Sequence, residues 1–156
     1  MNGGKFNIYE GGEIVFIRNI TFKNKYADHA SLNGRPCVVI SEFNNKLTLL
    51  PLASSIPKNT SDKSQTIFIK KEDIDIEKKC FKPKEKEYVN LGSMFQQELR
   101  FYDVVALVKF RRYLRLLEEI ELKRLENNPI CSEYYKEIYQ DLEYQRNKME
   151  LTLRRR

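Results

Sequence analysis

The chain contains few of the residues from which metal sites and disulfide frameworks are built. It has one histidine, His29, and three cysteines, Cys37, Cys80 and Cys131, which stand far apart and form no CxxC pair. Zinc sites need Cys and His clusters at short spacing, so we expect no metal ion and no cofactor. The odd, scattered cysteines are typical of free thiols in a reducing compartment.

Long apolar runs are also missing. The first stretch, MNGGKFNIYEGGE, has no apolar core of the kind that secretion signals carry. No run approaches the roughly 20 apolar residues that a membrane-spanning helix requires. We therefore predict a soluble, cytoplasmic protein with no membrane partner.

Positive charge is in excess. The 156 residues include 28 Lys and Arg against 22 Asp and Glu, which gives a net charge of +6 and a pI near 9.2. Surplus cations attract polyanions, so the balance favours a nucleic-acid partner. The alternative is an ordinary solvated surface, because the charged residues are of mixed sign. The length suits one domain.

Short β-rich runs occupy the chain between residues 11 and 110. They are EIVFI (13–17), PCVVIS (36–41), KLTLLPL (46–52), TIFIKK (66–71), EYVNL (87–91) and DVVALV (103–108). Loops rich in Asn, Gly, Ser, Pro and Lys separate them, and no helix stands between them. The pattern predicts a small, strongly bent antiparallel sheet or half-barrel. EYVNL is also compatible with an exit into a short helix at residues 93–97.

Two amphipathic helices follow, at about residues 111–153. The first carries Tyr113, Leu116, Leu117 and Ile120 at helical spacing and ends before Asn127-Asn128-Pro129. The second is predicted at residues 132–153. Its apolar stripe is Tyr135, Ile138, Leu142, Gln145 and Met149. The whole is therefore predicted to be an α+β, mainly β fold with a C-terminal helical hairpin.

The loop at residues 18–35 is long for a compact domain, and such loops are often functional. It interleaves cations with an aromatic residue, which suits single-stranded nucleic acid because phosphates meet cations while bases stack on rings. The alternative is a basic loop without a task. The predicted RNA contacts are Arg18, Lys23, Lys25, Tyr26 and, after the following serines, Lys58.

Four further residues suggest chemistry. Arg35 stands between Gly34, which permits a turn, and Pro36, so its guanidinium has a defined direction for binding phosphate. The alternative is an ion pair with Glu13 or Glu42. Ser54 and Ser55 end a strand, where a hydroxyl can either donate to a phosphoryl oxygen or bond its own turn. His29 is the natural general acid or base, although a lone histidine in a loop more often has no catalytic role.

The order of these motifs resembles a known family. GGEIVFI, a long loop, GRPCVVIS and LTLLPLASS follow one another between residues 11 and 56. In order and spacing they resemble the MazF/Kid/PemK endoribonuclease toxins, which have a Gly-Asp/Glu-Ile-Val strand, an Arg-Pro-Val/Ala-Val-Ile strand and a strand ending in Pro-x-Thr-Ser. EYVNLGSMFQQ and the two C-terminal helices look more like the ToxN/CptN branch, whose antitoxin is a repeat RNA. The resemblance implies a single SH3-like half-barrel domain.

The resemblance also implies a site and a reaction. The family's arginine falls on Arg35 and its Thr-Ser pair on Ala53 and Ser54; Ala53 lacks a hydroxyl, so Ser54, with Ser55 in reserve, must supply that contact. The implied chemistry is metal-independent cleavage of single-stranded RNA by 2′-OH attack, with His29 as candidate base. The implied partner is a repeat-RNA antitoxin in a closed protein–RNA assembly. The alternatives are a protein antitoxin, or a non-catalytic SH3-like module that binds RNA or protein.

Overall fold

The structure, a computed structural model, describes residues 8–18, 34–53, 66–91, 94–125 and 143–154. These residues form eight strands, a 3₁₀ turn at Lys71–Asp73 and two helices. The strands are β1 (Glu13–Ile17), β2 (Arg35–Phe43), β3 (Lys46–Ala53), β4 (Thr66–Lys70), β5 (Ile74–Ile76), β6 (Lys86–Asn90), β7 (Phe95–Glu98) and β8 (Ala106–Val108). The helices are α1 (Phe110–Leu125) and α2 (143–154).

All strand pairs in the sheet are antiparallel, in the order β4-β6-β3-β2-β1-β8-β5, with β7 added to β3. The two ends of this order, β4 and β5, are joined by the 3₁₀ turn alone. The sheet therefore bends until its edges are neighbours and forms a nearly closed barrel. The predicted mainly β, α+β half-barrel with C-terminal helices is confirmed.

The β2–β3 hairpin sets the register of the barrel. Its turn residues, Asn44 and Asn45, both have positive φ, as two-residue hairpin turns of this twist require, and Asn tolerates that conformation well. Cys37 lies opposite Pro51. The open end of the hairpin therefore brings the start of β2 beside the end of β3.

Both faces of β1, β2 and β3 are covered, which explains why these strands are apolar at nearly every position. Inward-pointing residues such as Ile14, Val38 and Leu50 belong to the main core. The opposite face carries a second group, here called the outer cluster, to which Tyr9 and the 95–104 segment add side chains. The outer cluster comprises Tyr9, Val15, Ile17, Cys37, Val39, Leu47 and Leu49, with Phe95, Leu99, Tyr102 and Val104 against it.

Helix α1 closes the barrel. Its predicted apolar stripe, Tyr113, Leu116, Leu117 and Ile120, is buried in the main core together with Met149 of α2. The Arg112 guanidinium donates to the Phe68 carbonyl on the outer edge of β4, at 2.8 Å. The helix therefore covers backbone that an unpaired strand edge would otherwise expose.

Three details of the sequence prediction change. Of the segment considered for a short helix at residues 93–97, residues 95–97 belong instead to strand β7. Strand β6 pairs with β3 only at Leu52 and Ala53, which leaves the first half of β3 to pair with β7. The predicted strand at 103–108 begins at Ala106. Strand β5 was not predicted, since three residues are too short a pattern to recognise. Residues 132–142 of the predicted second helix lie outside the described residues.

None of the helices in the described ranges combines the length and the apolar character needed to cross a membrane.

Candidate functional site

Arg35 opens strand β2 at one end of the barrel. It pairs with Ile17, the last residue of β1, and its Nε donates to the Leu52 carbonyl of β3 at 3.0 Å. This bond ties the guanidinium to two strands at once and fixes its plane. The direction of the side chain therefore comes from strand pairing.

Gly34 does not set that direction by a turn. Its φ lies outside the left-handed region, and a Cβ added there would meet only ordinary van der Waals contacts, the nearest at 3.8 Å. The glycine permits a turn here, as the sequence indicated, but Gly34 itself does not use a left-handed conformation, and the position has room for a Cβ.

The two carboxylates considered as partners of Arg35 serve the other end of the sheet. Both oxygens of Glu13 accept from backbone N–H groups, those of Glu10 and Gly11, each at 2.7 Å. Glu42 accepts from Ile8 and Tyr9 and stands seven positions beyond Arg35 on β2, about 23 Å at the usual strand rise. These carboxylates hold the segment before β1.

The strand register aligns a row of side chains that starts at Arg35. Since Cys37 lies opposite Pro51, the next positions on the same face, Arg35 and Ala53, are neighbours. Ala53 pairs with Tyr88 of β6, and Tyr88 pairs with Phe68 of β4. Opposite residues of antiparallel strands share a face, so this row, here called the Arg35–Phe68 row, runs over the outside of the barrel. It covers three strand spacings, about 14 Å.

The far end of the row is aromatic and cationic. The Phe68 and Tyr88 rings meet edge to face with centroids 6.3 Å apart, and the Lys86 ammonium stands 4.7 Å from the Phe68 ring centre. Phe68 nevertheless remains 38% exposed. A cation held beside partly open rings is the arrangement that binds unstacked bases and their phosphates.

Cys37 lies two residues from Arg35 on the same face but is chemically quiet. Burial raises the pKa of its thiol to about 12, and the nearby Arg35 charge offsets this only in part. The thiol donates weakly to the Arg35 carbonyl. Cys37 is thus a packing residue and not a nucleophile.

Of the other predicted positions, Arg18 and Ala53 lie within the described residues. Arg18 is exposed directly after β1, and its Cγ and Nε lie 3.9 Å from the position of a Cβ on Gly34, so it flanks the start of β2 near Arg35. Ala53 ends β3, immediately before Ser54 in the chain. The remaining predicted residues lie outside the described residues: Lys23, Lys25, Tyr26, His29, Ser54, Ser55 and Lys58.

The sequence analysis missed Phe68, Tyr88 and Lys86. In TIFIK the alternation turns Ile69 inward and leaves Thr66, Phe68 and Lys70 on the other face. An aromatic residue among outward polar positions is the signal that was available. No local pattern, however, indicates that these residues share a row with Arg35.

Among the described residues, no group of three or more His, Cys, Asp or Glu side chains is placed to hold a metal ion. No family model matches the chain, and no curated protein matches it.

Proposed function

We propose that this protein is a metal-independent endoribonuclease of the toxin–antitoxin type, acting in the cytoplasm on single-stranded RNA. The observation that carries the proposal is the position of Arg35, bound to Leu52 at the sheet end from which β3 leads directly into Ser54. The Arg35–Phe68 row adds rings and a second cation on the same face. The resemblance of the β1–β3 motifs to the MazF/Kid/PemK toxins supplies the reaction.

In the proposed reaction the ribose 2′-OH attacks the adjacent phosphorus while the P–O5′ bond breaks. The products are a 2′,3′-cyclic phosphate and a 5′-OH end, so the proton lost by the 2′-OH is balanced by one gained at O5′. Arg35 stabilises the negative charge that grows on the non-bridging oxygens. Ser54, or Ser55, donates a hydrogen bond to the same phosphate, and His29 is the candidate for the base.

We further propose that a repeat RNA is the antitoxin and that it occupies the same surface as the substrate. Substrate and inhibitor are then the same polymer, so the same cations bind both. An RNA with one end in the active site and another surface free can bridge two protein copies, and repetition of that contact closes a ring.

The test of the reaction is a cleavage assay in EDTA on single-stranded RNA, with Arg35→Ala protein purified in parallel to reveal contaminating nuclease. We expect cleavage by the wild type, 2′,3′-cyclic phosphate ends, and no cleavage of a substrate with a 2′-deoxy scissile nucleotide. A strict Mg²⁺ requirement, or cleavage of the deoxy substrate, would refute the mechanism. RNA binding without any cleavage would instead identify a non-catalytic binding module.

A further inference from the structure

A groove of about 770 Å³ lies between the outer edge of β4 and the first turns of α1. Phe68 belongs both to this groove and to the end of the Arg35–Phe68 row, so the two surfaces are continuous. The groove is lined by Thr66, Ile67, Phe68, Lys70, Glu72, Asp73, Arg111, Arg112, Arg115 and Glu119.

Two of the charged pairs in the groove are already satisfied. Arg112 is buried, donates to the Phe68 carbonyl and pairs with Glu119 at 2.6 Å, so it fastens α1 to the strand edge. Lys70 stands 3.9 Å from Glu72, a looser and exposed pair.

Arg111 and Arg115 remain without an ion pair within the described residues. Both are exposed, and their spacing of four residues places them on the same side of α1. Like charges at this spacing destabilise a helix by a few tenths of a kcal/mol. Two exposed guanidinium groups on one side of a helix are a favourable position for an anionic ligand.

We propose that the Arg35–Phe68 row and this groove form one track for a single strand of RNA, in which Phe68 stacks a base and Arg111 and Arg115 bind phosphates upstream or downstream of the scissile one. The inference rests on the proposed function, since it gives the substrate of that site its path. The track excludes a duplex, because only an unpaired base can leave its neighbours to stack on a protein ring.

Nucleic acid fits this surface better than an acidic protein does. Asp73 lines the groove, its carboxylate has no ion-pair partner within the described part of the chain, and Glu72 is only loosely paired. These carboxylates repel a glutamate-rich peptide and an RNA phosphate alike, so the difference lies in the exposed Phe68 ring, from which the peptide would gain nothing. A nucleotide can use the ring and the guanidinium groups together, because its flat base stacks on the ring while its separate phosphate binds the guanidinium groups.

The experiment measures binding apart from cleavage. The probe is a fluorescein-labelled single-stranded RNA of about 12 nucleotides with 2′-O-methyl riboses, which has no 2′-OH to attack. Anisotropy titrations in EDTA compare wild type, Phe68→Ala, Phe68→Leu and the double variant Arg111→Gln/Arg115→Gln. The matched controls are Phe101→Ala, which removes a ring that is 83% exposed elsewhere, and Arg154→Gln on α2.

We expect Phe68→Ala and Phe68→Leu to raise Kd about tenfold, since stacking on one ring is lost in both while Leu keeps the apolar volume. The double arginine variant should lower the slope of log Kd against log salt by about 1.4, two contacts at 0.7 each. The control variants should bind like the wild type, and thermal melts confirm folding.

Unchanged binding in the Phe68 and double arginine variants, or equal affinity for a duplex, would overturn the track even if the wild type cleaves RNA. Loss of poly-glutamate binding in the arginine variant, with RNA binding unchanged, would assign the groove to an acidic protein instead. Reduced RNA binding in the variants, together with no cleavage by the wild type, would leave the track standing and refute only the nuclease.

Discussion

At the scale of the residue, Arg35 shows how a flexible side chain acquires a defined position. Its Nε is committed to the Leu52 carbonyl, while Glu13 and Glu42, the acids that the sequence offered as partners, bind backbone amides at the other end of the sheet. A guanidinium fixed through Nε still has its terminal N–H groups on the opposite side of the fork. The half-buried guanidinium lies at the sheet end where β2 begins and β3 ends.

We expect Arg35→Ala to reduce RNA cleavage by a factor of 100 or more, since removing one donor to developing charge costs about 3 kcal/mol. The melting temperature should change little, because Arg35 is only partly buried. Arg35→Lys should keep part of the activity, as the charge remains but the fork geometry and the Leu52 bond are lost. Ser54→Ala should cost less than Arg35→Ala.

Single-turnover RNA cleavage rates, measured together with thermal melts, test the predicted effects of these variants. Arg18→Ala, which removes an exposed arginine adjacent to Gly34, is the matched control and should weaken binding without abolishing cleavage. An Arg35→Ala protein that cuts RNA at the wild-type rate would show that the site lies elsewhere.

Glu87 provides a pH prediction at a different position. The residue is only 5% exposed, and burial raises the pKa of its carboxyl above the usual value, although the backbone N–H and the charge of Lys84 partly counteract this. The folded state therefore holds the proton more strongly than the unfolded state does. Glu87 therefore makes its whole contribution to the free energy of unfolding below about pH 4.5. That contribution is lost as the pH rises through the folded-state pKa.

Glu87→Gln removes this titration, so its stability should fall less than that of the wild type between pH 4 and 7. Urea unfolding at a series of pH values measures the difference in stability between the two proteins. The contributions of the other acidic residues are the same in both and cancel in this difference. Parallel pH curves for the two would contradict the assignment of the shift to burial of Glu87.

At the scale of the element, both C-terminal helices pack against one glycine turn. Gly11 and Gly12, with φ of 109° and 92°, lead into β1. The Tyr113 hydroxyl of α1 donates to the Ile40 carbonyl at 2.6 Å, and the Gln145 amide of α2 donates to the Glu10 carbonyl at 2.6 Å. Burial raises the pKa of Tyr113, which keeps its hydroxyl a donor. Both helices are thus hydrogen-bonded to the barrel beside this turn, where Gly11 leaves room for the Tyr113 hydroxyl and the Gln145 amide.

Gly11→Ala should destabilise the protein by several kcal/mol, because a Cβ there overlaps the Tyr113 hydroxyl, approaches Gln145 Nε2 to 2.6 Å and sits at a φ that disfavours side chains. Gly34→Ala is the matched control, since its added Cβ meets only ordinary contacts. Chemical denaturation of both variants gives the comparison. Equal stabilities would mean that the glycine turn is not what seats the helices.

At the scale of the whole molecule, several of the cations behind the net charge of +6 lie on one surface. Arg18 and Arg35, Lys86, and then Arg111 and Arg115 lie along one path from the end of β1 to the start of α1. Local concentration of cations, more than their total, determines where a polyanion binds and how steeply binding depends on salt.

If a repeat RNA is the antitoxin, as proposed, the purified protein should carry a discrete RNA of a few tens of nucleotides, seen as excess absorbance at 260 nm. Its affinity should fall steeply with salt, by about 0.7 log units per phosphate contact for each tenfold rise in salt. Changing Lys23, Lys25 or Lys58 to Ala should lower that slope. A protein that is free of RNA and is neutralised by a small acidic protein would instead belong with the protein-antitoxin type.

The sequence by itself determined the strands and the first helix. Apolar runs between polar loops located β1 to β4, β6 and β8 within a few residues, and the spacing of Tyr113, Leu116 and Ile120 located α1, because these patterns depend on near neighbours in the chain. The sequence also singled out Arg35, since a cation at a strand entrance is visible locally.

Only the tertiary structure decided what lies beside Arg35. Tyr88 and Phe68 join its row through pairings of β3 with β6 and of β6 with β4. Arg112 of a distant helix bonds to the edge of β4, which places Arg111 in the groove beside that edge. The β7 strand follows from the same cause, an unpaired half of β3. Register and edge closure depend on contacts between residues far apart in the chain, and local periodicity carries no information about them.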